Sequence, residues 1–73
     1  MEVSVAIKEL IKLMEDGLKP EPVRVGAAEG LGYAGCSSAR AALAKMMNDG
    51  LKPVGVRAAA AKALGRATTE YPA

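Results

Sequence analysis

The 73-residue chain contains no histidine, no tryptophan and no phenylalanine, and it has a single cysteine, Cys36. Without histidine there is no imidazole to act as a base near neutral pH. A Cys–His nucleophile is excluded for the same reason. One cysteine cannot staple the chain to itself, and with no histidine to join it a metal site is not expected. Tyr33 and Tyr71 are the only aromatic residues, too few for a base-stacking platform that binds single-stranded nucleic acid. No apolar run approaches the ~20 residues that span a bilayer. The start, Met1-Glu2-Val3-Ser4, lacks the basic and apolar regions of a signal peptide. A cytoplasmic protein without a membrane partner is therefore expected. The net charge of +2 is spread among acids and bases, an ordinary soluble surface rather than a nucleic-acid footprint. No catalytic residue, cofactor or metal is expected.

Apolar residues make up 51% of the chain, much of it alanine. The length allows one domain, 1–73. Chains of this size seldom draw more than ~3–5 kcal/mol from their core without disulfides, metal or association. With the first two ruled out, self-association is expected.

The chain also repeats itself. Asp16-Gly17-Leu18-Lys19-Pro20 returns as Asp49-Gly50-Leu51-Lys52-Pro53, an offset of 33 residues. The same offset places Ser4 on Ser37, Leu10 on Leu43, Lys12 on Lys45, Met14 on Met47, Val23-Arg24 on Val56-Arg57, and Leu31-Gly32 on Leu64-Gly65. A period in this range marks a solenoid of stacked helical hairpins. The units run over about 4–36 and 37–69, with 70–73 as a short tail.

Local signals divide each unit into two helices, giving an all-α chain of four helices with antiparallel neighbours. Ser4 is the expected N-cap of the first, and Ile7, Leu10, Ile11 and Met14 form its apolar stripe. Gly17 is expected to end that helix in the left-handed conformation, with Leu18 folding back onto Leu13; Gly50 and Leu51 repeat the arrangement. The second helix should begin near Pro20 to Val23, run to about Ala34, and bury Val23, Ala27, Leu31 and Ala34. Gly35 breaks the chain, Ser37 or Ser38 caps the third helix, and Ala39, Leu43, Met46 and Met47 point inward. The fourth helix, after Pro53, buries Val56, Ala60, Leu64 and Ala67. Gly26, Gly30 and Gly32 read as sites of close helix packing. The glycine-rich run 30–35 is not a phosphate loop, because no strand precedes it.

Val23-Arg24-Val25-Gly26-Ala27-Ala28-Glu29-Gly30-Leu31-Gly32 and its counterpart Val56-Arg57-Ala58-Ala59-Ala60-Ala61-Lys62-Ala63-Leu64-Gly65 resemble the first helix of HEAT-like repeats, in particular the short kind named after phycobilisome lyases. The resemblance covers nearly the whole chain. It implies an α-solenoid of two repeats with right-handed superhelical stacking, and an arginine near a helix start that pairs with an aspartate in a turn. Arg24 and Arg57 match that arginine. Asp16 and Asp49 lie somewhat earlier than the family's aspartate, and these four residues are expected to form a repeated structural ladder. The implied function is a non-catalytic protein–protein interaction module using a concave surface, or a self-assembling unit. Alternatives are a fragment or accessory subunit of a larger HEAT-repeat protein such as a bilin-lyase-like enzyme, and a weak nucleic-acid backbone binder.

Against the family pattern, the first helix lacks its usual preceding partner and the fourth its following one. Ile7, Leu10, Ile11 and Met14 on the first helix and Ala60, Leu64 and Ala67 on the fourth are therefore candidate self-association faces. A homodimer with a four-plus-four helix core, a higher oligomer, or another helical-repeat protein as partner would cover them. Other residues are read as structure. Cys36 is a turn filler like its counterpart Val3, and Glu9, Glu15, Asp16 and Glu21 line a solvated turn. Met14, Met46 and Met47 are core. The dispersed Lys8, Lys12, Lys19, Arg40, Lys45 and Lys52 offer at most a weak surface for acidic partners.

Overall fold

Two Asp-Gly-Leu-Lys-Pro turns and one glycine cut the chain into α1 (Val3–Glu15), α2 (Glu21–Ala34), α3 (Ser37–Asn48) and α4 (Val54–Ala67) in the computed structural model, which describes residues 1–69. The expected tail, 70–73, lies outside the described residues. No strand occurs among the described residues. α1 packs on α2 and α3 on α4, and the two hairpins join chiefly through α2 and α4, with only slight contact between α1 and α3. The molecule measures 34 × 30 × 16 Å.

The helix ends differ from expectation in an instructive way. Gly17 and Gly50 do not adopt a left-handed conformation; Gly35, with φ 65°, is the only positive-φ residue among those described. Asp16 and Asp49 stop α1 and α3 instead, with extended backbones at ψ 104° and 102°. Their carboxylates accept hydrogen bonds from the Leu18 and Leu51 amides at 2.9 and 3.0 Å. This side-chain-made turn competes directly with a helical one. Leu18 and Leu51 consequently stand 95% and 96% exposed rather than folding back. Ser4 lies inside α1, whose N-cap is Glu2, and Cys36 rather than a serine occupies the cap position of α3. Pro22 sits in the first turn of α2, where its missing N–H costs no helical hydrogen bond. Gly35 donates its N–H to the Leu31 carbonyl and closes α2 in the left-handed conformation that glycine tolerates best.

The core is built from Ile7 and Met14 of α1, Ala27, Ala28 and Leu31 of α2, Ala39, Leu43 and Met46 of α3, and Val56, Ala59, Ala60 and Ala63 of α4. Small side chains on α2 and α4 let these helices approach closely. A Cβ on Gly32 would lie 2.9 Å from both the Cβ and the carbonyl oxygen of Ala63, so this glycine is required by packing. Gly26 is different: a Cβ there would meet nothing within 4 Å. The buried faces also shift. Val23 and Ala34 are exposed, while Arg24, Ala28 and Gly32 are buried in their place. On α3 and α4, Met47 and Leu64 are only partly buried, while Ala42, Ala59 and Ala63 are buried.

Candidate interaction surface

The ladder residues recur in space as in sequence, with a different partner from the one expected. Arg24 Nε donates to the Met14 carbonyl at 2.9 Å, and Arg57 Nε to the Met47 carbonyl at 3.2 Å. Each guanidinium therefore sits on the last turn of the helix preceding its own, where free carbonyls and the helix dipole favour a cation. The Asp carboxylates are used in the turns described above. Arg24 is 3% exposed, and its Nη2 is buried without a hydrogen-bond partner; Arg57 is only partly buried.

The α2–α4 face carries an open groove of about 740 Å³. Its floor is Val25 with the small residues Gly55, Ala58, Ala59 and Ala63, and Glu29, Tyr33, Lys62 and Arg66 rise around it. The Arg66 guanidinium lies 4.7 Å from the centre of the Tyr33 ring, a cation–π contact. The Glu21 carboxylate lies over Gly55, where any Cβ would collide with it. No single residue on this face marks it as a site in the sequence. The signal that finds it is the 33-residue offset, which sets Glu29 opposite Lys62 and Tyr33 opposite Arg66.

The sequence profile of HEAT repeats matches residues 6–72. The chain belongs to the HEAT-repeat family. HEAT repeats are commonly protein-interaction modules and typically non-catalytic scaffolds. No curated protein and no solved structure matches this HEAT-repeat chain significantly.

Within this HEAT-repeat hairpin pair, the candidate self-association residues do not form open faces. Ile7, Met14, Ala60 and Ala67 are buried inside the single chain, because α1 and α4 turn these stripes onto the neighbouring helices of the same chain. Leu10, Ile11 and Leu64 are partly buried and pack against the same core. Around α1 a second depression of about 690 Å³ is lined by Ala6, Glu9, Leu10, Leu13, Asp16 and Lys19 among others. No group of three or more acidic or cysteine residues is arranged to hold a metal ion among the described residues. No helix there is long and apolar enough to cross a membrane.

Cys36 carries a perturbed ionisation. The Ser38 hydroxyl, 3.5 Å from Sγ, and then the Ala39 amide hold the thiol below its ordinary value, against a smaller opposing effect of burial. Both donors lie at the start of α3, where amides have no intrahelical acceptor.

Proposed function

We propose that the chain is a non-catalytic protein-interaction module that engages its partner across the α2–α4 face. The supporting observation is the groove itself. Its floor of Gly55, Ala58, Ala59 and Ala63 presents almost no side chain, so another polypeptide can approach closely. Tyr33, Arg66, Lys62 and Glu29 at the margins supply an aromatic anchor and charges of both signs, the residue classes that dominate protein interfaces. Mixed sign also disfavours a nucleic-acid backbone, which calls for uniformly basic surface. A second copy of the chain, or another helical-repeat protein, is a further class of partner and would dock at the ends of the repeat stack rather than in the groove, since solenoid repeats bury their apolar faces by stacking on neighbouring repeats.

The test compares proteins retained by the immobilised wild-type chain with those retained by Ala58→Arg and Tyr33→Ala. Both residues are exposed, so the fold should persist. Partners bound by wild type and lost from both variants are expected. If both variants retain the same partners at undiminished levels, the face is not the binding surface.

A further inference from the structure

Equivalent positions of the two repeats carry the same residues but bury them differently. Ala28, Leu31 and Gly32 are buried, whereas Ala61 and Gly65 are exposed and Leu64 is half-exposed. Met14 and Arg24 are buried, whereas Met47 and Arg57 are only partly so. The pattern reverses on the other side. Val56 is fully buried and Val23 is 42% exposed; Leu43 and Ala67 are buried, while Leu10 is half-exposed and Ala34 exposed. Identical side chains rule out composition as the cause. What differs is whether another repeat covers them. The surface that the first repeat presents to the second is therefore displayed again at the α4 end, and the surface that receives it is displayed again at the α2 end.

Shape and charge both fit. The tightest point of the internal interface is Gly32 against Ala63. Its equivalents at the two ends are Gly65 and Gly30, so close approach meets no Cβ from either side. The charges of α4 are Arg57, Lys62 and Arg66, with no acid. Those of α2 are Glu21, Glu29 and Arg24, and Arg24 is buried. Pairing α4 with α4, or α2 with α2, would set like charges together. Pairing α4 with α2 sets opposite charges together and repeats the Arg66–Tyr33 contact already made inside the chain.

We infer that a second copy of the chain stacks head to tail, its α2 face on the α4 face of the first, repeating the internal repeat–repeat interface. This rests on the reading of the chain as an interaction module with itself as a partner. Such a contact is heterologous: each copy keeps one free face of each kind, so association continues past the dimer.

Sedimentation over a wide concentration range tests this with two single-face variants, Ala61→Glu on the α4 face and Val23→Glu on the α2 face. Gly65→Gln serves as a second α4-face variant, because a Cβ there meets nothing within 4 Å in the isolated chain. Helical circular dichroism verifies that each is folded. The wild type should grow beyond a dimer with concentration. Each variant alone should associate at least tenfold more weakly, and an equimolar mixture of Ala61→Glu and Val23→Glu should stop at a one-to-one dimer through their intact faces. A variant that dimerises alone as tightly as wild type would show a two-fold contact and overturn the stacking, while leaving self-association standing. Undiminished growth of all three variants would overturn it equally. A wild type that stays monomeric throughout removes both stacking and the second copy as partner, without touching the retention of other proteins by the α2–α4 groove.

Discussion

A guanidinium that is 3% exposed must be solvated by protein, and Arg24 is solvated incompletely: Nε reaches the Met14 carbonyl while Nη2 has no partner. Truncation to alanine removes packing and leaves the Met14 carbonyl without that donor. Arg24→Ala should therefore cost about 3 kcal/mol of stability. Arg57→Ala should cost about 1 kcal/mol, because the same bond at Met47 is partly exposed. Arg24→Met keeps volume and removes an incompletely compensated charge, so it should cost less than Arg24→Ala. Urea denaturation checks the order; equal losses at positions 24 and 57 would contradict it. Cys36 makes a second residue-scale prediction. Its thiol loses a proton at lower pH in the folded chain than when unfolded, because Ser38 and the Ala39 amide stabilise the thiolate. Between the two values the unfolded state binds more protons, so this group's contribution to stability rises with pH and is lost as pH falls through the folded value. Alkylation of Cys36 should set in at lower pH in the folded chain than in urea, and Ser38→Ala should move the folded profile upward. Coincident profiles for wild type and Ser38→Ala would exclude the hydroxyl as the cause.

At the scale of the helices, glycines alike in sequence have opposite roles. Gly32→Ala drives a Cβ into Ala63 backbone and side chain at 2.9 Å, and should cost about 2 kcal/mol despite better helix propensity. Gly26→Ala enters open space and should stabilise α2 by up to about 1 kcal/mol. Thermal melts of the two variants should move in opposite directions, and a shared direction would refute the packing account. Such differences mark where the sequence stops being legible. The helices themselves are written locally, in Pro20, Pro53, Gly35 and the repeated turns, and the expected and observed spans nearly coincide. The stops of α1 and α3 are ambiguous in sequence because Asp-Gly serves two endings. Gly17 can close a helix in a left-handed turn, or Asp16 can do so with its carboxylate, and only the backbone angles distinguish them. The burial of α2 is not legible in the sequence because periodicity marks a face without saying which neighbour it meets: Val23 and Val56 are the same residue in the same motif, yet only Val56 has a repeat in front of it. The groove was hidden for a related reason. The offset aligns Tyr33 with Arg66, but a cation–π contact is a distance, supplied by how closely Gly32 lets α2 approach α4.

For the molecule as a whole, stability in a solenoid is a sum of repeats and the interfaces between them, and two repeats have a single internal interface. The α4 end shows what that limits. Met47, Ala61, Leu64 and Gly65 occupy positions whose first-repeat equivalents are buried, so a further repeat placed there would gain an interface without new chemistry. Appending a second copy of residues 37–69 after residue 69 would supply it, given one change. Gly35 makes the left-handed turn between α2 and α3, and the 33-residue offset puts Thr68 at that position. Thr68→Gly is therefore needed for the added hairpin to dock, since β-branched residues resist positive φ. Covering these side chains should raise stability by about 3 kcal/mol, or roughly 15 °C in Tm. The extended chain retaining Thr68 should gain less, because its added hairpin is held off the face. A three-repeat chain that melts with its two-repeat parent, with or without the glycine, would mean that the α4 end is not an open continuation of the repeat stack, and that its exposed apolar positions have some origin other than a missing neighbour.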